Sequence, residues 1–274
     1  MTTQLLEHAP VAITEGFIHS ADGTRISFRR LGSGPAIVFV HGSVSTHTDW
    51  TPTARLLSSR YTCFVMDRRG RAHSGVGSSP YSIEREYEDI SAVLSAAGPG
   101  AMLAGHSYGG VCALGTAMRY PVPKLVLYEP PFPVGGPIAG APLADYARAI
   151  AEGDLDLALQ IGLGKFTRLT DQVICAMRVS KAWPHLRALA KSWTRELEAM
   201  DSQPSKLDCF HGLACPVLLL RGSESLEHPM QNSIRALAQV LPHARVETLT
   251  GQDHMGLRGA PAMVARLIQD FLAE

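Results

Sequence analysis

The sequence is short of charge and has no surplus of either sign. Lys plus Arg number 25, Asp plus Glu number 25, and charged residues make up only 18% of the 274 positions. A balanced, sparsely charged chain offers no electrostatic footprint for nucleic acid or an anionic membrane. No apolar run approaches the ~20 residues that a membrane span needs. Residues 1–15 carry acidic residues and no basic start, so they do not read as a secretory signal. Cysteine is scarce. Cys63, Cys112, Cys175, Cys209 and Cys215 are odd in number, scattered and without metal-type spacing, which suits reduced, mostly buried thiols in a cytoplasmic protein. The histidines lack i, i+4 pairing with acids, so no metal set is expected. Gly-rich phosphate loops are absent too, which argues against a nucleotide cofactor. Internal repeats and low-complexity tracts are missing as well. What is present is enough apolar residue, 46%, for a sizeable core. The length suits one large domain, or a core with an insertion.

Against this plain background one stretch stands out, Gly105-His106-Ser107-Tyr108-Gly109. The pattern is G-x-S-x-G, a sharp turn that lifts a serine off the edge of a sheet. A serine hydroxyl is a poor nucleophile unless a base can reach it, and the turn solves the problem of reach. It crowds the backbone, so the residues two before and two after the serine must be small. The context agrees. Residues 101–104 are a short apolar run fit for a buried strand. Val111, Leu114, Ala117 and Met118 follow at helical spacing until Pro121.

In chain order, residues 15–30 read as a hairpin around Ala21-Asp22-Gly23. Residues 36–40 are continuously apolar, as in a parallel strand buried on both faces, and end in His41-Gly42-Ser43. Residues 61–66 give the next strand, ending at Asp67-Arg68-Arg69-Gly70. Ile83, Tyr87, Ile90 and Leu94 mark a helix. Residues 124–128 form a strand that ends in Glu129-Pro130-Pro131. Further strands are expected at 217–220 and 246–249, with a helix between them and a last helix over 261–272. From 132 to 213 no strand is visible and helical patterns take over, at 143–151, 155–161 and 173–200. The alternation predicts an α/β fold with a doubly wound, mostly parallel sheet, whose ligands sit at the carboxyl ends of the strands. Residues 1–131 and 214–274 form the expected core domain, with 132–213 leaving the sheet as a helical excursion.

These motifs together resemble the α/β-hydrolase family, in its branch with a serine nucleophile and a helical cap. His41-Gly42, Asp67-Arg68-Arg69-Gly70 with Ser74-Gly75, the elbow at Ser107, and His254 occur in the family's order and span nearly the whole chain. The resemblance implies that Ser107 attacks, that His254 in the loop after the last strand is its base, and that residues 132–213 are the cap. It also implies an oxyanion hole made by the backbone N–H groups of Ser43 and Tyr108. Asp67 with its neighbouring arginines is expected to tie its own loop together. Trp50 is expected to pack, Asp253 to point away from the site, and Trp183 and Trp193 to be core or pocket roof.

The third member of the triad departs from the pattern. The family commonly places an acid three residues past a Gly after the seventh strand, and here that position holds Ser225. Two carboxylates could replace it. Glu129 ends the sixth strand on a stiff Pro-Pro segment and is preferred; Glu224 is the alternative, one residue early. The resulting expectation is a hydrolase of a carboxylic ester or related small acyl substrate, working through an acyl-enzyme without cofactor. Cleavage of a C–C bond, thioester or lactone by the same triad, or a non-catalytic ligand sensor with the same pocket, are the alternatives.

Overall fold

The computed structural model describes residues 12–78 and 80–274. The described strands form one sheet: β1 (Ile13–His19), β2 (Arg25–Leu31), β3 (Ala36–Val40), β4 (Thr62–Met66), β5 (Met102–His106), β6 (Leu125–Tyr128), β7 (Val217–Gly222) and β8 (Ala244–Leu249). Their order is β1-β2-β4-β3-β5-β6-β7-β8. The first hairpin pairs antiparallel, and β2 pairs antiparallel with β4; every later pairing is parallel. The hairpin is longer at both ends than its sequence signal, because Ile13 and Leu31 continue the register.

The apolar runs are explained by burial on two faces. In β3, Val38 and Val40 belong to one core cluster, while Ile37 and Phe39 belong to the other. Helices α1 (Thr51–Leu57) and α11 (Pro261–Ala273) supply the second cluster with Ala54, Leu57, Val264 and Ile268. Helices α2 (Ile83–Ala97), α3 (Tyr108–Ala117) and α9 (Asn232–Val240) supply the first with Tyr87, Leu114 and Leu237. A strand buried on both faces cannot alternate polar with apolar. Strand β3 lies between β4 and β5, so the chain leaves β3 in one direction and later crosses back over it. The reversal falls between β3 and β5, and open α/β sheets hold ligands at the carboxyl ends of the strands at such a point.

Between β6 and β7 the chain forms α4 (Pro142–Glu152), α5 (Leu155–Ile161), α6 (Asp171–Arg178), α7 (Trp183–Ala190) and α8 (Trp193–Asp201). The single helical stretch expected over 173–200 is three helices. Pro184 sits in the first turn of α7; it lacks an N–H and would clash with the preceding turn, so a new helix has to start there. The insertion is not detached. Tyr146, Leu159, Trp193 and Leu197 are buried in the same cluster as Val111 and Leu114 of α3. Trp193 packs edge-on to Tyr146 and Phe166, and Trp183 donates to Asp156 Oδ1 at 2.6 Å, so both tryptophans serve the insertion's own core. At the entry, the Asp201 carboxylate accepts the N–H groups of Ile138 (2.6 Å), Ala139 and Gly140 (3.0 Å), pinning the loop to α8.

All five cysteines are free. Cys63 and Cys112 are buried, but Cys175 and Cys209 are exposed, so "mostly buried" holds only for the strand and α3 thiols. Among the described residues no helix is long and apolar enough to cross a membrane. The reading of residues 1–15 as lacking a leader falls mostly outside the described residues.

Candidate active site

Ser107 follows β5 directly and caps α3, with φ 54° and ψ −130°. A Cβ at Gly105 would lie 2.4 Å from Gly109 O, and one at Gly109 would lie 2.3 Å from His41 O. The two glycines therefore let the turn close on itself and on the exit of β3. The next strand is in step. His106 pairs with Tyr128, so Ser107 and Glu129 leave the sheet side by side from β5 and β6. Glu129 also has a positive φ, 44°, as does Val44 after β3, 48°. A left-handed backbone at a non-glycine residue costs about 1–3 kcal/mol, and such positions gather at functional sites. Here three of them stand at the ends of neighbouring strands.

Glu129 is fully buried and doubly engaged. Its Oε1 accepts the Gly222 N–H at 2.7 Å, and its Oε2 lies 2.8 Å from His254 Nδ1. A carboxylate only accepts, so Nδ1 is the donor in this contact. The loop bearing His254 is held from three strands. His106 Nε2 donates to the His254 carbonyl at 2.9 Å, with the two rings 4.6 Å apart. Tyr128 donates its hydroxyl to Asp253 O at 2.6 Å. Gly222, at the end of β7, lies so close that a Cβ there would be 2.3 Å from Gln252 O. His106 is buried, and burial, reinforced by His254, drives its pKa well below the ordinary histidine value. It is a neutral donor.

The other candidate acid is elsewhere. Glu224 is exposed, its N–H donates to Gln252 O at 2.9 Å, and its carboxylate accepts from Ser223 Oγ at 3.1 Å. Asp253 is exposed and its carboxylate accepts the Met255 N–H, a local turn contact pointing away from the imidazole partner. Trp50 is buried and donates to Val40 O at 3.0 Å, which makes it packing for the end of β3. Among the described residues no hydrogen bond joins Ser107 Oγ to His254. Such bonds are often long without substrate and tighten when it binds.

The loop after β3 brings Ser43 to the nucleophile. A Cβ at Gly42 would lie 2.8 Å from Ser107 Cβ. Tyr108 opens α3, where a first-turn N–H has no intrahelical acceptor. Among the described residues neither the Ser43 nor the Tyr108 N–H has a hydrogen-bond acceptor. His41 holds the loop in shape. Its Nδ1 lies 2.8 Å from Gly42 O and its Nε2 accepts the Arg68 N–H at 3.1 Å. Acceptance at Nε2 needs the neutral ring, and burial, helped by Arg68, pushes its pKa down to about 3.

Sequence reasoning missed the charges around this loop. Asp67 was expected to tie its own loop together, but its buried carboxylate accepts the His47 N–H and His47 Nδ1, both at 2.8 Å, and so fastens the loop after β3 to the end of β4. Arg68, Arg69 and Arg71 are buried as well. Arg69 makes a two-pronged pair with Asp89 on α2, 2.7 Å on each side. Arg68 pairs with Glu86 of α2 at 2.8 Å and with Glu196 of α8 at 2.7 Å, and Arg71 also reaches Glu196 at 2.7 Å. Burial alone would raise the Glu196 pKa, but Arg68 and Arg71 outweigh it and hold the carboxyl below its usual value. The missed signal was periodic: Glu196 lies between Trp193, Leu197 and Met200, on the apolar stripe of its helix.

With this geometry in place, comparison with known proteins defines the class. The sequence profile of the Alpha/beta hydrolase family matches residues 37–267, and the chain belongs to that family. It is similar to the 2-(acetamidomethylene)succinate hydrolase of Mesorhizobium japonicum, 24% identical over 90% of this chain and 91% of that one. Among solved structures it resembles an alpha/beta hydrolase from Sphaerobacter thermophilus, with a TM-score of 0.83 and 29% identity over 94% of this chain and 100% of the other. It has the fold of an enol-lactonase from Burkholderia xenovorans, with a TM-score of 0.75 and 23% identity over 94% and 100%.

Proposed function

We propose that this chain is a serine hydrolase that cleaves a carboxylic ester or related small acyl substrate. The observation that carries the reading is the buried Glu129 carboxylate 2.8 Å from His254 Nδ1, one strand over from Ser107. In this reading His254 Nε2 takes the Ser107 proton as Oγ attacks the acyl carbon. The Ser43 and Tyr108 N–H groups receive the oxyanion, and Glu129 stabilises the imidazolium. His254 then protonates the leaving alcohol. Water, deprotonated by the same ring, releases the acid and restores Ser107. Residues 132–213 act as the cap over a small-molecule pocket, and no cofactor takes part. Lactone, thioester or C–C cleavage would use the same proton path. A ligand sensor has no need of an aligned imidazole and acid, which weighs against that alternative.

The test is pre-steady-state hydrolysis of chromogenic short-chain esters, with fluorophosphonate labelling read by mass spectrometry. A burst, and a label on Ser107 that Ser107→Ala abolishes, are expected. A wild-type protein that neither labels nor turns over any ester, thioester or lactone would sink the proposal.

A further inference from the structure

The buried Arg68 guanidinium lies against both segments that carry the proposed oxyanion donors. Its Nε donates to His41 O at 3.0 Å and its Nη2 to Gly42 O at 3.2 Å. The Gly42 carbonyl and the Ser43 N–H belong to one peptide plane and point in opposite directions. Holding that carbonyl therefore aims the Ser43 N–H. The same guanidinium lies 4.9 Å over the ring of Tyr108, whose hydroxyl is 2.6 Å from that of Tyr81, and Tyr81 donates to Glu86. One cation thus contacts both segments, directly through the carbonyl that shares a peptide with the Ser43 N–H and through the side chain of Tyr108.

What holds the cation is divided between two parts of the fold. Glu86 belongs to α2, beside the sheet. Glu196 belongs to α8 of the insertion, 128 residues away from Arg68 in sequence. Glu196 also neutralises Arg71, and Ser43 Oγ lies beside its carboxylate without a well-formed hydrogen bond. Without Glu196, Glu86 would be left as the carboxylate partner for two buried guanidinium groups, and the Arg68 Nη2 that now bridges Glu196 and the Gly42 carbonyl would lose its anchor.

We infer that Glu196 is a positioning residue: acting through Arg68 it aims the oxyanion donors, so that the site is competent only while the insertion is seated on the core. This rests on the hydrolase reading above. It goes beyond that reading by making α8 part of the reactive centre rather than only a wall of the pocket.

The experiment compares wild type with Glu196→Gln, Glu196→Ala and, as a control on the exposed side of the same helix, Glu198→Gln. Active sites are titrated with fluorophosphonate, so that kcat refers to folded, reactive protein. Binding of a trifluoromethyl ketone, which forms a tetrahedral adduct on a serine, reports the oxyanion hole directly. A misaimed donor costs up to about 100-fold in kcat. We expect roughly a tenth of wild-type kcat for Glu196→Gln and about a hundredth for Glu196→Ala, with KM within about threefold and ketone affinity falling in parallel. Glu198→Gln should match wild type. If Glu196→Ala does not fold, Glu196→Gln carries the test, because it keeps the side chain's shape. Unchanged kcat per titrated site and unchanged ketone affinity in Glu196→Gln would overturn the inference while leaving the hydrolase reading intact. A wild type that neither labels nor turns over would remove both.

Discussion

At the scale of single residues, the site is defined by what each polar atom is bonded to. Glu129 spends one oxygen on the Gly222 N–H and the other on His254. Replacing it by Gln would offer His254 an amide, which can reverse the tautomer and cannot stabilise an imidazolium. Glu129→Gln should therefore cost about 10³–10⁴ in kcat, whereas Glu224→Gln should stay within about twofold. The inverse ranking in steady-state assays would move the acid to Glu224. His106 makes a second case. It is held neutral by burial, while in the unfolded chain it protonates near pH 6.5. The unfolded state then binds the extra proton, so this contribution to stability is complete above pH 6.5 and falls as the solution is acidified below it. His41 adds to the same trend down to about pH 3. Urea titrations of His106→Gln between pH 7 and 5 should give a stability slope shallower than wild type, the difference growing toward one proton, about 1.4 kcal/mol per pH unit, as pH 5 is approached. Parallel slopes would mean that His106 is not kept neutral by the fold.

At the scale of elements, the site depends on how strands stop. β5 and β6 end in register, and both are followed by residues with a positive φ, which turns their side chains out of the sheet plane together. β7 contributes no side chain to the proposed triad but contributes space. Its last residue, Gly222, lets the His254 loop lie across the strand end, and its N–H fixes Glu129. Gly222→Ala would force that loop outward. An ångström of displacement at a reacting group costs about 10²-fold, so kcat should fall by that order. Overpacking should cost only about 1–3 kcal/mol of stability, leaving the variant folded at room temperature. A fully active Gly222→Ala would show that the loop position is not critical. The strands were legible in the sequence because each is a short apolar run closed by Gly, Pro or a polar turn. The insertion was legible as helical but not in its breaks, since 173–200 keeps an apolar period across Pro184. The missing N–H of Pro184 explains the break before α7. The break between α7 and α8, at residues 191–192, has no such mark in the sequence.

At the scale of the whole molecule, the insertion is joined to the core by apolar packing and by charge. Arg68, Arg71, Glu86 and Glu196 are buried together, two of each sign. A buried network of this kind is weak support for stability as a whole, because its desolvation cost rivals its attraction. Removing one partner, though, strands a buried charge and costs about 3–5 kcal/mol. Glu196→Ala should thus lower the melting temperature by roughly 10 °C for a chain of this length. Calorimetry showing a shift under two or three degrees would imply that water replaces the carboxylate at little cost. The exposed pair Arg245–Glu247 should contribute next to nothing by comparison.

The linear sequence determined what depends on neighbours along the chain. Small residues either side of Ser107, an apolar run before it and a helical period after it are local requirements of one turn. They are legible because steric crowding acts over a few residues. His254 was legible for a related reason: it follows the last strand, and strand ends in a parallel sheet share one edge. The choice of carboxylate beside the imidazole was not local. Glu129 and Glu224 are both acids just past strand ends, and nothing in their flanking residues separates them decisively. Tertiary structure decided it, because the register of β6 against β7 places the Gly222 N–H and His254 on the two oxygens of Glu129. Glu196 needed the fold even more. A carboxylate on an apolar helix face reads as a fault in the pattern until the two arginines that it neutralises arrive from the end of β4. Buried charge is tolerated only where opposite charge meets it, and that meeting exists only in three dimensions.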